Sequence, residues 1–194
     1  MENYHKEKRI IDIKKANLYG ILLIIPLILI YGLPFYLIWG TIDLPQGQIF
    51  SLYSLDLLLL LITGIILHEL LHGITWSFFL KNGFRSIKFG IMWKKMMTPY
   101  CHSKELMKVK HYILGAIMPA IVLGFLPALY AVFSGSLYIL YLSFIFTIAA
   151  IGDFLVIYLL KDEDPESLVE DHPSEAGCYV YKKTPQQQYV DQGV

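Results

Sequence analysis

The sequence predicts an all-α membrane protein with four transmembrane helices and a short β-hairpin on the cytoplasmic side after the second helix. Composition, four long apolar segments and the distribution of positive charge support this fold class. Of the 194 residues, 56% are hydrophobic and only 16% are charged, whereas an ordinary soluble domain has about 25% charged residues. Lipid is therefore expected to be the main solvent.

Four apolar segments are long enough to cross a bilayer, because a hydrocarbon core of about 30 Å requires about 20 helical residues. They are residues 16–39, 55–80, 112–133 and 137–160. The first is too long for the apolar core of a signal peptide, and no small-residue cleavage site follows it. We therefore expect it to be a retained span.

The 16 lysines and arginines follow the membrane boundary. Five precede the first span, eight lie between the second and third spans, and three follow the fourth span. The two remaining loops carry none. The positive-inside rule then predicts a multi-pass protein of the cell membrane, with both termini in the cytoplasm. The basic residues do not form the concentrated patch of a nucleic-acid-binding module, so no nucleic-acid partner is expected.

Residues 1–160 are expected to form a single membrane-embedded domain. Residues 161–194 form a polar cytoplasmic tail, which has too little apolar surface for a core of its own, and its end is expected to be disordered. The two cysteines, Cys101 and Cys178, fall in predicted cytoplasmic segments, where reduced thiols are the rule.

Three ionisable side chains interrupt the apolar stretch "LITGIILHELLHGITWSFFL", which runs from Leu61 to Leu80. His68 and His72 are four residues apart, so on a helix they lie one turn apart and can bind one metal ion. Glu69 lies about 100° around the helix, where its carboxylate can reach a water on the metal. This H-E-x-x-H spacing is typical of zinc peptidases, in which the carboxylate moves a proton from that water to the leaving amine.

Asp153 is the candidate for a third ligand, since a catalytic zinc normally has three protein ligands. It lies deep in the last span, eight residues before Lys161, whereas His72 lies nine residues before Lys81. At 1.5 Å per residue, both side chains lie about 12–14 Å from the cytoplasmic boundary. Gly152 beside it would permit close helix approach.

Other interpretations of these residues stay open. The polar group in the second span could join helices by hydrogen bonds or relay protons. Asp153 could instead make a helix-packing hydrogen bond or pair with Lys161. Cys101, His102 and His111 could also approach the metal from the cytoplasmic loop, although they are expected at or outside the membrane interface, with His102 solvated.

The loop "FRSIKFGIMWKKMMTPYC" alternates apolar and polar residues over part of its length, which predicts a strand. Lys94 and Lys95 are expected at the turn of a hairpin. Such a hairpin could bind an extended peptide by strand addition and present it to the metal. Alternatively, it could lie at the interface with its lysines directed to lipid headgroups.

The segments "HELLH", "TPYC", "GAIMPAIVLG" and "GD" together resemble the core of the site-two protease superfamily of intramembrane zinc metallopeptidases. More closely, the chain resembles the "putative zincin peptidase" family of small bacterial membrane proteins. The resemblance covers residues 55–160 and extends loosely to "DHPSEAG". It implies a catalytic core in which Zn²⁺ is held by His68, His72 and Asp153, with Glu69 as the catalytic carboxylate.

The leading functional hypothesis is a zinc-dependent intramembrane or membrane-associated peptidase. It would hydrolyse peptide bonds of a membrane protein or peptide substrate with a metal-activated water near the cytoplasmic side. The alternative is a metal-binding membrane protein without proteolytic activity, such as a sensor or accessory subunit. A purely structural helix bundle is a third possibility. Loss of function on replacement of Glu69 would favour the peptidase over the sensor.

Overall fold

The computed structural model describes residues 4–40, 55–92, 98–172 and 175–183. The described helices are α1 Ile13–Trp39, α2 Leu55–Ser77, α3 Val109–Pro119, α4 Leu126–Ser134, α5 Leu137–Ala149 and α6 Ile151–Leu160. The described strands are β1 Tyr4–Ile10, β2 Ile87–Met92, β3 Thr98–Ser103, β4 Met107–Lys108, β5 Leu168–Asp171 and β6 Gly177–Lys183. Three predicted features lie outside the described residues: the loop after the first span, the turn at Lys94 and Lys95, and the end of the tail.

Three helical segments are long and apolar enough to cross a membrane: Leu18–Trp39, Leu55–Ser77 and Val109–Ser134. The last of these consists of α3, a π-helical turn over Ala120–Phe125, and α4. Helices α5 and α6 meet at a bend of 45° and provide a fourth span only if the pair is counted as one. Four spans therefore remain a prediction, whereas a mostly helical protein with three to four apolar helices is established.

One face of α1 is buried against α4 and α5. Leu27, Tyr31 and Phe35 repeat every four residues and are almost fully buried, and most other large side chains of α1 are exposed. Exposed apolar side chains of this density fit a helix surrounded by hydrocarbon. The Tyr31 hydroxyl lies 2.8 Å from Thr147 Oγ1 on α5, a polar contact of the kind that joins membrane helices.

The strands β2 and β3 form an antiparallel pair, with Ile87 opposite Ser103 and Lys88 opposite His102. The apolar face of this hairpin packs directly on α2. A Cβ atom at Gly73 would lie only 2.6 Å from Phe89 Cζ, so a glycine is needed for this approach. The side of the membrane on which the hairpin lies stays a prediction.

A four-stranded antiparallel sheet, in the order β1-β6-β5-β4, was not predicted. The expectation of an all-α chain with one hairpin missed it, and the tail expected to lack a core contributes two of its strands. Val169, Cys178 and Val180 are fully buried and join a cluster that includes Met107 and Leu160. The tail residues thus share a core with the helices instead of forming one alone. Cys101 and Cys178 are both free thiols.

An ion-pair network holds this sheet to the end of α6. The carboxylate of Glu163 is 2.7 Å from Arg9 on β1 and 2.9 Å from Lys182 on β6. Because β1 precedes the first helix and β6 follows the last, their pairing brings the beginning of α1 and the end of α6 to the same end of the molecule.

Candidate metal centre

Helix α2 places two imidazole rings so that their nitrogens face each other. The Nε2 atoms of His68 and His72 are 3.2 Å apart, as expected for side chains one helical turn apart. His72 is buried, and His68 is half-buried. Two ring nitrogens that converge on one point are suited to a shared ligand.

The bend between α5 and α6 brings Asp153 to this point, in the first turn of α6. Its Oδ2 atom is 3.1 Å from His68 Nε2, and its Oδ1 atom is 3.3 Å from His72 Nε2. Asp153 thus lies beside His68 and His72, as predicted from the sequence. The expectation for Gly152 is wrong, because a Cβ atom added there would meet nothing within 4 Å. A close approach occurs instead at Gly115, where a Cβ atom would lie 2.0 Å from Trp76 Nε1.

The geometry of these three side chains fits a zinc ion. Around a tetrahedral zinc with bonds of about 2.0–2.1 Å, ligand atoms lie about 3.3 Å apart. The two Nε2 atoms are 3.2 Å apart and lie 3.1 and 3.3 Å from different oxygens of the Asp153 carboxylate. One ligand atom from each residue can be chosen so that all three lie within 4.8 Å of one another. Asp153 Oδ2 is buried and, although it lies 3.1 Å from His68 Nε2, makes no well-aligned hydrogen bond with a described residue. Burying a carboxylate oxygen without a well-aligned donor costs free energy, which a cation at this position would offset.

A backbone carbonyl fixes the protonation of His72. Its Nδ1 atom is 2.8 Å from the carbonyl oxygen of Gly115 on α3. Since a carbonyl can only accept, Nδ1 carries a proton, which leaves Nε2, the atom that faces His68 and Asp153, as the ring nitrogen that can bind a metal. Zinc-binding histidines are commonly oriented in this way.

Two aromatic rings support His72 from behind. The ring of Trp76 stacks on His72 with centroids 5.3 Å apart, and the ring of Tyr112 stacks on Trp76 at 5.0 Å. The indole Nε1 donates to the backbone oxygen of Tyr112 at 3.1 Å. These contacts restrict His72 to one orientation.

Glu69 is half-buried and lies beside β3, where the backbone N–H of Cys101 faces its carboxylate. Burial first and the nearby charges of Glu69 and Asp171 second raise the pKa of the Cys101 thiol. Among the described residues, His68, His72 and Asp153 are the one group of three or more metal-ligating side chains that converge.

The other two candidates from the loop lie elsewhere. His102 Nδ1 is 3.5 Å from Asp171 Oδ2 on β5, so this side chain is not simply solvated as expected. His111 stacks on Phe79 with centroids 4.0 Å apart. Sequence reasoning missed the contributions of Trp76 and Tyr112. The available signal was an aromatic residue one turn after His72.

Comparison with known proteins gives one match. A family model described as "Putative zincin peptidase" matches residues 61–168, more than half of the chain. The matched segment contains the histidines of α2, Glu69, the hairpin and Asp153. No curated protein and no solved structure matches the chain.

Proposed function

The chain belongs to the "putative zincin peptidase" family, and from this premise we propose that it is a zinc-dependent peptidase that hydrolyses peptide bonds within or next to the membrane, near the cytoplasmic side. One observation supports the proposal most directly: the side chains of His68, His72 and Asp153 form a triangle, in which the two Nε2 atoms are 3.2 Å apart and each lies within 3.3 Å of one oxygen of the Asp153 carboxylate. An H-E-x-x-H zinc peptidase similar to the site-two proteases accounts for this triangle and for Glu69 beside it.

His68 and His72 would hold zinc through Nε2, and Asp153 through its carboxylate. When bound, zinc supplies a Lewis acid that polarises a peptide carbonyl and acidifies water. Three protein ligands leave one coordination position open for chemistry. The hydrogen bond from His72 to Gly115 keeps the correct ring nitrogen directed to the site.

Glu69 is assigned the proton transfers. As a general base, its carboxylate accepts a proton from the attacking water while the new C–O bond forms. As a general acid, it then gives that proton to the leaving nitrogen while the C–N bond breaks. Its position one residue after His68, outside the triangle, leaves the carboxylate available for this role. The N–H of Cys101 on β3 faces this carboxylate.

The proposed substrate is an extended segment of a membrane protein or peptide that binds along the hairpin. Lys104 N donates to Ser86 O at 2.8 Å, so residues 101 and 103 direct their amides away from β2. The Ser103 amide donates to Asp171 and the Cys101 amide faces Glu69, and Pro99 has none. A substrate strand would therefore pair with the outer edge of β2, where the described residues provide no other strand.

The test compares wild type with Glu69→Gln and with a control variant, Asp56→Asn. The control makes the same change of carboxylate to amide in the first turn of α2. Each zinc-loaded protein is incubated in detergent with membrane proteins from cells that lack this chain, and new N-termini are identified by mass spectrometry. We expect new N-termini with wild type and Asp56→Asn. Glu69→Gln should form them about 10²–10⁴-fold more slowly while keeping its zinc.

Equal cleavage by wild type and Glu69→Gln would reject the assignment of Glu69. Bound zinc without any cleavage product would reject the peptidase and favour the metal-binding sensor or accessory subunit.

A further inference from the structure

The carboxylate of Asp171, the last residue of β5, joins three separate parts of the chain. Oδ2 accepts a hydrogen bond from the backbone N–H of Ser103 on β3 at 2.8 Å, and Oδ1 accepts one from the hydroxyl of Tyr112 on α3. His102 Nδ1 is 3.5 Å from Oδ2. Only 12% of the side chain is exposed, so these protein groups replace water as its partners.

The hydrogen bond from the Tyr112 hydroxyl connects Asp171 indirectly with His72. Tyr112 lies three residues before Gly115 and therefore nearly above it on the same face of α3. Gly115 provides the carbonyl that orients His72. The ring of Tyr112 also supports Trp76, which in turn stacks on His72. The hydrogen bond to the Tyr112 hydroxyl therefore restrains the two aromatic rings that pack behind His72.

The bond to Ser103 leads to Glu69. Ser103 lies two residues after Cys101, so both amides point to the same side of β3. The Ser103 amide donates to Asp171, and the Cys101 amide faces Glu69. Asp171 therefore restrains β3 two residues from the backbone that faces the proposed general base.

A charged side chain at this place is costly for the fold. Burial raises the pKa of Asp171, and the hydrogen bonds from Tyr112 and the Ser103 amide oppose that rise. A raised folded-state pKa means that any stabilisation is present at low pH and is lost as the pH rises through that pKa. The ionised carboxylate thus stabilises the fold less than its protonated form does, and an apolar residue in a buried place of this kind often serves stability better.

We propose that Asp171 is a positioning residue of the metal centre, which makes the C-terminal sheet part of the catalytic unit. This inference rests on the proposed function, because it assumes that the His68, His72 and Asp153 triangle binds zinc. Asp171 touches neither the ligands nor the substrate path; it acts through Tyr112 and Ser103.

The test measures metal binding by the full-length protein in detergent. The dissociation constant for Zn²⁺ is obtained by competition with a chelating dye, and the visible spectrum of the Co²⁺-loaded protein reports the coordination geometry. Asp171→Ala removes both hydrogen bonds, whereas Asp171→Asn keeps the shape and one acceptor. Tyr112→Phe removes only the hydroxyl. Glu170→Gln is the matched control, because Glu170 bonds across the sheet to Lys6 and Tyr181.

We expect Asp171→Ala to weaken Zn²⁺ binding about tenfold, the lower end of the range for residues that orient metal ligands, and to shift the Co²⁺ spectrum. Asp171→Asn should restore part of the affinity. Tyr112→Phe should weaken binding by about threefold and add little to Asp171→Ala, because both act through the same hydrogen bond. Glu170→Gln should match wild type.

Zn²⁺ affinity and Co²⁺ spectra like those of wild type in both Asp171→Ala and Tyr112→Phe would overturn the inference, even if unfolding temperatures fell, since that pattern indicates a structural role alone. If Asp171→Ala does not fold, Tyr112→Phe decides the question by the same criterion. Wild type without Zn²⁺ binding would reject the proposed function, and this inference with it. That outcome is distinct from a failure confined to the variants.

Discussion

Replacing Gly115 with alanine is expected to disturb the metal centre although Gly115 is not a proposed ligand. An added Cβ atom would lie 2.0 Å from Trp76 Nε1 and 2.2 Å from Trp76 Cδ1. Non-bonded heavy atoms need about 3.5 Å, so the indole ring or α3 must move by about 1.5 Å. The ring cannot move freely, because it is stacked between His72 and Tyr112 and bonded to the Tyr112 carbonyl.

Two consequences are expected from this displacement. Overpacking of this kind costs about 1–3 kcal/mol of stability. A shift of α3 by 1.5 Å would also break the 2.8 Å contact between His72 Nδ1 and Gly115 O, and loss of such an orienting bond weakens metal binding about 10–100-fold. Gly115→Ala should therefore lose both stability and zinc affinity.

Gly152→Ala is the matched control. This glycine is also helical and lies next to Asp153, but its added Cβ atom would meet nothing within 4 Å, so stability should change by less than about 0.5 kcal/mol. The assay is thermal unfolding in detergent together with a Zn²⁺ competition titration. The reasoning is refuted if the two alanine variants behave alike, either because Gly115→Ala is harmless or because Gly152→Ala is equally damaging.

Two further predictions concern parts of the fold away from the metal. Burial tends to raise the pKa of Glu163, but hydrogen bonds from Lys182 and Arg9 outweigh it and leave the pKa below its usual value. The resulting stability is present above about pH 4.5 and is lost as the pH falls through the lowered pKa. Thermal midpoints measured from pH 7 to pH 3 should fall for wild type, and Glu163→Gln should start lower by about 1 kcal/mol and depend less on pH; parallel curves would contradict this. Tyr31→Phe should cost about 0.5–1.5 kcal/mol through the lost bond to Thr147, while Tyr36→Phe, at an exposed position, should have no effect in the same unfolding assay; equal effects would show that the buried bond contributes nothing.

The sequence allowed the centre of the site to be predicted because its signals are local. The helical period places His68 and His72 one above the other, whatever the rest of the chain does. Asp153 was identified because an ionisable group deep in an apolar helix is costly and needs a partner. Equal distances along the chain from the same boundary predicted that Asp153 lies beside the histidines, and the structure shows these contacts.

The remaining features depend on contacts between distant segments. β1 and β6 are short strands from opposite ends of the chain, and no local pattern indicates that they pair. Asp171 looks like an ordinary residue of a polar tail until β5 is placed beside Tyr112. A Cβ atom at Gly152 would contact no other helix among the described residues. Successive helical positions are about 100° apart, so Gly152 faces away from the side of α6 on which Asp153 contacts the histidines.

Zinc content measured by elemental analysis tests the central claim most directly. Wild type and Asp56→Asn, which alters α2 far from the site, should each carry one zinc per chain after purification in detergent. His72→Ala and Asp153→Ala should each lose it. A wild-type protein without zinc, or an Asp153→Ala variant that retains one zinc per chain, would contradict the assignment of Asp153 as the third ligand in a metal centre with His68 and His72.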